Sequence, residues 1–136
     1  MIRPKVLLVA DTVLQDQVTN TMSVIRIHEQ FYTPGYPLMV PRFTVFAMLE
    51  RSREDPPRSQ CQLIIRLDND VLYDQMTDVD FGDALVNRVI MQFQGFVLPH
   101  AGTLSIRLRA GTESIESYGM PAFPAGNRPL QAERLA

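Results

Sequence analysis

Two stretches of the chain alternate apolar and polar residues, and this alternation decides the fold. Gln60-Cys61-Gln62-Leu63-Ile64-Ile65-Arg66-Leu67 places a cysteine and three aliphatic residues in one phase, with Ile64 alone out of pattern. Thr103-Leu104-Ser105-Ile106-Arg107-Leu108-Arg109 repeats the pattern with three aliphatic residues. Because successive side chains of a strand point to opposite faces, a period of two predicts antiparallel strands with one buried face.

Other segments extend this pattern, and turns rich in Pro, Gly, Asn and Asp separate them. Val89, Met91 and Phe93 alternate with polar residues until the phase changes at Gly95, which predicts a β-bulge there. The segment 22–31 is expected to turn Ile25, Ile27 and Phe31 inward. About eight strands at this spacing predict an all-β fold, an antiparallel β-sandwich of the immunoglobulin-like kind. The expected core includes Leu63, Ile65, Met91, Phe93, Leu104 and Ile106.

The length and composition predict one globular domain and point to no particular class of partner. The 136 residues are 46% hydrophobic and 21% charged, with a net charge of −2, which gives no reason to expect a nucleic-acid or membrane partner. Residues 1–120 are predicted to form the sandwich. Residues 121–136 contain three prolines and no alternation, so they are predicted to form an extended C-terminal arm. With no apolar stretch near the ~18 residues of a membrane helix, a cytoplasmic location is expected.

The order of several motifs resembles a known family. Pro4-Lys5-Val6-Leu7-Leu8-Val9-Ala10-Asp11 opens the chain, and Tyr36-Pro37-Leu38 precedes Pro41-Arg42-Phe43-Thr44-Val45. Later, Phe93-Gln94-Gly95-Phe96 runs into Leu98-Pro99-His100-Ala101-Gly102. This order resembles an uncharacterised bacterial family, a domain of unknown function made of small single-domain β-sandwich proteins. The resemblance covers residues 4–118. It implies a sandwich, and it supplies no activity and no catalytic residues.

Residues that usually carry out chemistry are scarce in this chain. It has two histidines, His28 and His100, and one cysteine, Cys61, whose apolar phase predicts a buried and unreactive thiol. A zinc site needs three or four ligands, which such a small set does not readily supply. The sequence contains no phosphate-binding loop and no nucleophile elbow. We therefore predict no catalytic residue, no metal site and no cofactor.

Two other sets of residues keep alternatives open. Four tyrosines could form a stacking platform for a carbohydrate or another small ligand: Tyr32, Tyr36, Tyr73 and Tyr118. Six aspartates lie between positions 68 and 83, as in calcium-binding loops, although a hairpin turn and solvated strand faces explain them more simply. They are Asp68, Asp70, Asp74, Asp78, Asp80 and Asp83. A calcium-dependent module and an enzyme of unrecognised type are the remaining alternatives.

The leading hypothesis is a non-enzymatic structural or protein-interaction module. Two segments, 5–14 and 42–49, are apolar in both phases, so some of their side chains have no obvious partner in a two-layer sandwich. Outward apolar residues in a row indicate a face covered by self-association or by another protein. We predict a homo-oligomer or a component of a larger assembly, with the C-terminal arm among its contacts. The predicted interaction surface comprises Leu7, Val9, Val13, Phe46, Met48, Ile64, Phe123 and Leu130.

Overall fold

The fold of this chain is all-β. The structure is a computed structural model, and it describes residues 1–126. Within these residues there are nine strands, and no helix is long and apolar enough to cross a membrane. The strands are β1 (Arg3–Gln15), β2 (Met22–Ile27), β3 (Leu38–Glu50), β4 (Arg58–Leu67), β5 (Asp70–Asp80), β6 (Val86–Leu98), β7 (Gly102–Ala110), β8 (Glu113–Glu116) and β9 (Met120–Ala122).

The strands form two antiparallel sheets that pack face to face. One sheet has the order β2-β1-β3-β6, and the other has the order β5-β4-β7-β8, with β9 also paired to β7. The predicted all-β antiparallel sandwich is therefore confirmed. The first three strands share one sheet, whereas an immunoglobulin constant domain arranges its strands as A-B-E-D and C-F-G.

The core lies between the inner faces of the two sheets. At the centre of the five-stranded sheet, Ile65 lies opposite Ile106, and both side chains are fully buried. Leu63 and Leu104 are buried beside them, as predicted. Met91 and Phe93 are only half-buried and pack at the margin of the core. They belong to β6, an edge strand that the sandwich covers incompletely.

Two residues of the predicted interaction surface belong instead to this core. Leu7 lies opposite Ala47 and Val9 lies opposite Val45, and all four side chains are buried between the sheets. The assignment of Leu7 and Val9 to an outward face is therefore wrong. Because β1 is apolar in both phases, its sequence alone does not distinguish the face that meets the second sheet.

The predicted bulge at Gly95 is also corrected. Val40 pairs with Phe96, and Arg42 pairs with Gln94, so the register runs through this point without an extra residue. Both strands change their buried phase at this point, where Pro41, which has no N–H to donate, stands between the paired residues Val40 and Arg42. Gly95 adopts φ +91°, a conformation that favours glycine. The result is a kink shared by β3 and β6.

The predicted boundary of the C-terminal arm lies too early. Pro121 and Ala122 are part of β9, which pairs with the start of β7. The Phe31 N–H donates to the Pro121 carbonyl, and the Phe123 N–H donates to the Phe31 carbonyl (2.8 and 3.0 Å). The first part of the arm therefore docks on its own domain. Leu130 lies outside the described residues.

Candidate functional site

A hairpin of the chain itself covers part of the outer face of the four-stranded sheet. β1 pairs with β3 only as far as Ala10, opposite Thr44, and its remaining residues pair with β2 alone. The turn of this hairpin reaches across to β6. There Arg88 donates to the backbone carbonyl and to the side-chain oxygen of Asn20, at 2.7 and 3.3 Å. The β1–β2 hairpin therefore bends over the sheet, and its turn is bound to β6.

This cover accounts for more of the predicted interaction surface. Phe46 points to the outer face of β3, yet only 4% of its side chain is exposed, and Met48 and Val13 are half-buried. The outward direction expected for Phe46 is correct, but the chain already fills the space above it. Ile25 and Ile27, expected inside, are instead exposed on the hairpin. The sequence did not reveal this because a hairpin crossing a sheet is a tertiary contact without local signature.

One edge of the four-stranded sheet is formed by β6, and the opposite edge is formed by β2. β6 pairs with β3 on one side, and in the part of the chain that the structure describes no strand pairs with its other side. Three of its apolar side chains remain exposed: Val86 (47%), Ile90 (45%) and Val97 (51%). Leu85 is exposed just before the strand begins. We call residues 85–94, which precede the kink at Gly95, the β6 edge.

The β5 edge of the five-stranded sheet, whose other edge includes β8, has a different chemistry. Tyr73 of β5 packs edge-on against Phe93 of β6, with ring centroids 5.0 Å apart, so these two edge strands lie on the same side of the molecule. β5 carries Asp74 and Asp78, which accept hydrogen bonds from Gln62 and Gln60 of the neighbouring strand (2.8 and 3.0 Å). The β5 edge thus carries carboxylates, whereas the β6 edge contains none.

The predicted surface residue Ile64 lies on the outer face of the five-stranded sheet. It is half-buried, with Asp74 opposite it on one side and Arg107 on the other. Arg107 is itself paired with Glu116. Ile64 therefore stands among polar groups and does not continue an apolar row.

The aspartates between positions 68 and 83 are distributed along β5 and the turns at its ends. Asp68 accepts a hydrogen bond from the Thr103 N–H (2.9 Å), and Asp70 contacts the His100 Nε2 (2.8 Å). A hydrogen bond to the Ala101 carbonyl and the carboxylate of Asp70 together raise the pKa of His100. Within residues 1–126, no three His, Cys, Asp or Glu side chains gather as a metal site requires.

The lone cysteine and the second histidine have structural surroundings. Cys61 is 1% exposed in the core, and burial raises the pKa of its thiol to about 11. The ring of His28 stacks on Phe43 at 6.0 Å, and its Nε2 contacts the Arg42 carbonyl at 3.0 Å. The Cys61 thiol fills space in the core, and the His28 ring packs against an aromatic residue of the core.

The four tyrosines do not share one face. The Tyr118 hydroxyl donates to the His28 carbonyl (2.7 Å), and the Tyr36 hydroxyl donates to the Phe123 carbonyl. Tyr32 stacks on Phe123, with ring centroids 5.1 Å apart. Tyr73 contacts β6 at the opposite edge of the sandwich. Two of the hydroxyls therefore hold loops of the domain in place.

A surface hollow of about 490 Å³ lies along β4 and β5, away from the tyrosines. Its lining includes Arg58, paired with Asp80 at 3.4 Å, and Gln60, bonded to Asp78. The ion pair and the hydrogen bond thus join polar groups of β4 to polar groups of β5 along the hollow. The arrangement supplies no aromatic wall on which a sugar could stack.

The exposed apolar residues of the β6 edge are not among those of the predicted interaction surface. One signal was present, because Ile90 occupies the polar phase of its strand, between Arg88 and Gln92. Its meaning depends on β6 being at the edge of a sheet, and that position follows from pairings between distant parts of the chain.

These features define a two-layer antiparallel β protein with one acidic and one carboxylate-free open edge. The chain belongs to a family of unknown function, DUF6941, whose model matches residues 5–122. This match confirms the resemblance to an uncharacterised domain family, and it ends at the last residue of β9. Comparison with curated proteins and with solved structures gave no match.

Proposed function

We propose that this protein is a non-enzymatic interaction module that assembles with copies of itself through the open side of its four-stranded sheet. The observation that carries the proposal is the exposure of Val86 and Ile90 on the β6 edge. Natural proteins commonly protect an edge strand with lysine, proline, inward charges, a bulge or a covering loop, because its unpaired N–H and C=O groups invite another strand. The β6 edge carries no lysine or proline, and its register is regular.

The surroundings of the titratable groups support a role without catalysis. The imidazole of His100 is engaged by Ala101 and Asp70, and that of His28 contacts a backbone carbonyl. The Cys61 thiol, with its pKa near 11, stays protonated at neutral pH. None of these groups is arranged as a nucleophile beside a base.

The proposal includes a protein partner and a cytoplasmic location in a bacterial cell. The one cysteine forms no intrachain disulfide, which suits a reducing compartment. Arg107, one of two arginines on the outer face of β7, is paired with Glu116. This pairing supports a protein partner over a nucleic acid, which a free basic surface would attract.

The test is the mass of the protein in solution as a function of concentration. We expect light scattering to give a dimer or larger species at about 100 µM that dissociates on dilution toward about 1 µM, as a Kd in the micromolar range requires. A mass equal to one chain across this whole range would contradict self-association. The same measurement on a mixture with bovine serum albumin controls for nonspecific adhesion.

A further inference from the structure

We propose that two copies of the chain pair their β6 strands antiparallel, edge to edge, about a two-fold axis at Ile90. This inference rests on the proposed function and names its interface. The pairing would join two four-stranded sheets into one continuous sheet of eight strands. Antiparallel addition satisfies the free backbone groups of both edges at once, which is the strongest reason for an open edge to bind another.

The choice of β6 follows from the charge on each open edge. A two-fold axis places a strand against its own copy, so the strand must tolerate its own side chains as neighbours. Two β5 strands paired about their midpoint would bring Asp70 against Asp80 of the second copy, and like charges directly opposite destabilise a sheet. The β6 edge has no carboxylate, and its single base, Arg88, is bound to Asn20.

The remaining edges are short or charged. β2 has six residues, among them Arg26 in a left-handed conformation, which interrupts a regular ladder. β8 has four residues and carries Glu113 and Glu116. β6, in contrast, extends over 13 residues. Length and charge together therefore single out β6 among the edges of the described chain.

The position of the axis follows from the kink at Gly95. Residues 86–94 form the regular part of the strand, and Ile90 is its midpoint. An axis there stacks Ile90 on its own copy and places Val86 opposite Gln94 of the second chain. Arg88 then faces Gln92 of the second chain, which is a neutral neighbour. The exposed isoleucine in the polar phase of β6 thus gains an apolar partner.

Cysteine substitution at the proposed axis tests the geometry. The buried Cys61 does not compete for disulfide formation. Ile90→Cys should give a disulfide-linked dimer under mild oxidation, because facing Cα atoms of paired strands lie about 4.5–5.5 Å apart. Gln94→Cys should not cross-link, because its two copies would be about 26 Å apart. Cross-linking at Gln94 and not at Ile90 would overturn the axis.

A charge substitution tests the edge itself, with a control on the other edge. Ile90→Lys puts two ammonium groups face to face and should raise the dimer Kd at least about tenfold. Met76→Lys introduces the same charge at an apolar residue of β5 that is 56% exposed, and it should change the Kd less than about threefold. Thermal melts of both variants check that each retains the fold.

The outcomes separate this inference from the proposed function. If the wild-type chain is monomeric at all concentrations, both fail. If it is oligomeric and Ile90→Lys has no greater effect than Met76→Lys, the β6 pairing is wrong and self-association stands. If Ile90→Lys does not fold, cross-linking of Ile90→Cys against Gln94→Cys decides the question.

Discussion

Ile106 and Ile65 face each other at the centre of the five-stranded sheet, and both side chains are fully buried. Ile106 follows strict alternation between Ser105 and Arg107, and Ile65 does so apart from the half-buried Ile64 beside it. Only one face of such a strand is suited to a core. The burial of these two residues was therefore predictable from local pattern alone.

Shortening Ile106 to alanine should cost about 2–5 kcal/mol of the free energy of unfolding, because the side chain is 1% exposed and its removal leaves a cavity. Urea titration of Ile106→Ala against wild type measures the loss. Val71→Ala, at a site 53% exposed, is the control and should change stability by less than about 0.5 kcal/mol. A loss for Ile106→Ala as small as that of the control would contradict the packing described.

The Cys61 thiol should be inert in the folded protein. Because burial raises its pKa to about 11, the thiolate is scarce at neutral pH, and the site is closed to reagents. We expect labelling by a thiol reagent at pH 8 to be at least about 100-fold slower than in guanidinium. Rapid, stoichiometric labelling without denaturant would show that the thiol is accessible.

The same shift of the Cys61 pKa has a consequence at alkaline pH. The ordinary pKa of the group is 9.0, so between pH 9 and about pH 11 the unfolded chain loses a proton that the folded chain retains. The unfolded state then binds fewer protons, and stability falls as pH rises through this window. Cys61→Ala removes this contribution and is the matched control.

At the scale of elements, the strands that were predictable are those with two unlike faces. β4 and β7 have one apolar and one mainly polar face, so their orientation followed from sequence. β1 and β3 are apolar on both faces: one face of each lies between the two sheets, and Phe46 on the outer face of β3 is buried as well. Alternation could not show which of the two faces lies in the core, and for that reason the assignment of Leu7 and Val9 to the outer face was wrong.

β9 shows a second limit of local pattern. The three prolines in residues 121–136 argued against regular structure there, yet Met120–Ala122 pairs with the start of β7. A proline is compatible with a strand where its missing N–H does not face a partner. Pro121 is tolerated because β9 is a short strand that, among the strands of residues 1–126, pairs with β7 alone. That position is set by the whole fold and has no local sequence signal.

The turn before β7 depends on close contact with the turn between β4 and β5. Asp68 binds the N–H of Thr103, and a Cβ at Gly102 would collide with the Asp68 carboxylate. Gly102→Ala should therefore destabilise the protein by about 1–3 kcal/mol. Gly35→Ala is the matched control, because no atom lies within 4 Å of the position its Cβ would take. Equal denaturation midpoints for the two variants would refute the contact.

At the scale of the whole molecule, the β6 edge is a candidate site because the strand order of the sheet leaves β6 at its end. The residues of the β6 edge are ordinary in sequence, and exposure of Ile90 becomes significant only because β6 ends a sheet. The acidic β5 ends the other sheet on the same side. The sequence pattern predicted an uncovered apolar surface made chiefly of residues of β1 and β3. In the structure, most of these residues are buried by other parts of the chain.

Hydrogen exchange of the β6 backbone, measured at two protein concentrations, tests the central claim most directly. If β6 pairs with a second copy, its outward N–H groups become hydrogen-bonded, and exchange over residues 86–94 should slow as the protein is concentrated from about 1 to about 100 µM. Exchange over β5 should stay the same. Identical exchange of residues 86–94 at both concentrations, in samples that light scattering shows to be oligomeric at the higher one, would contradict pairing through β6.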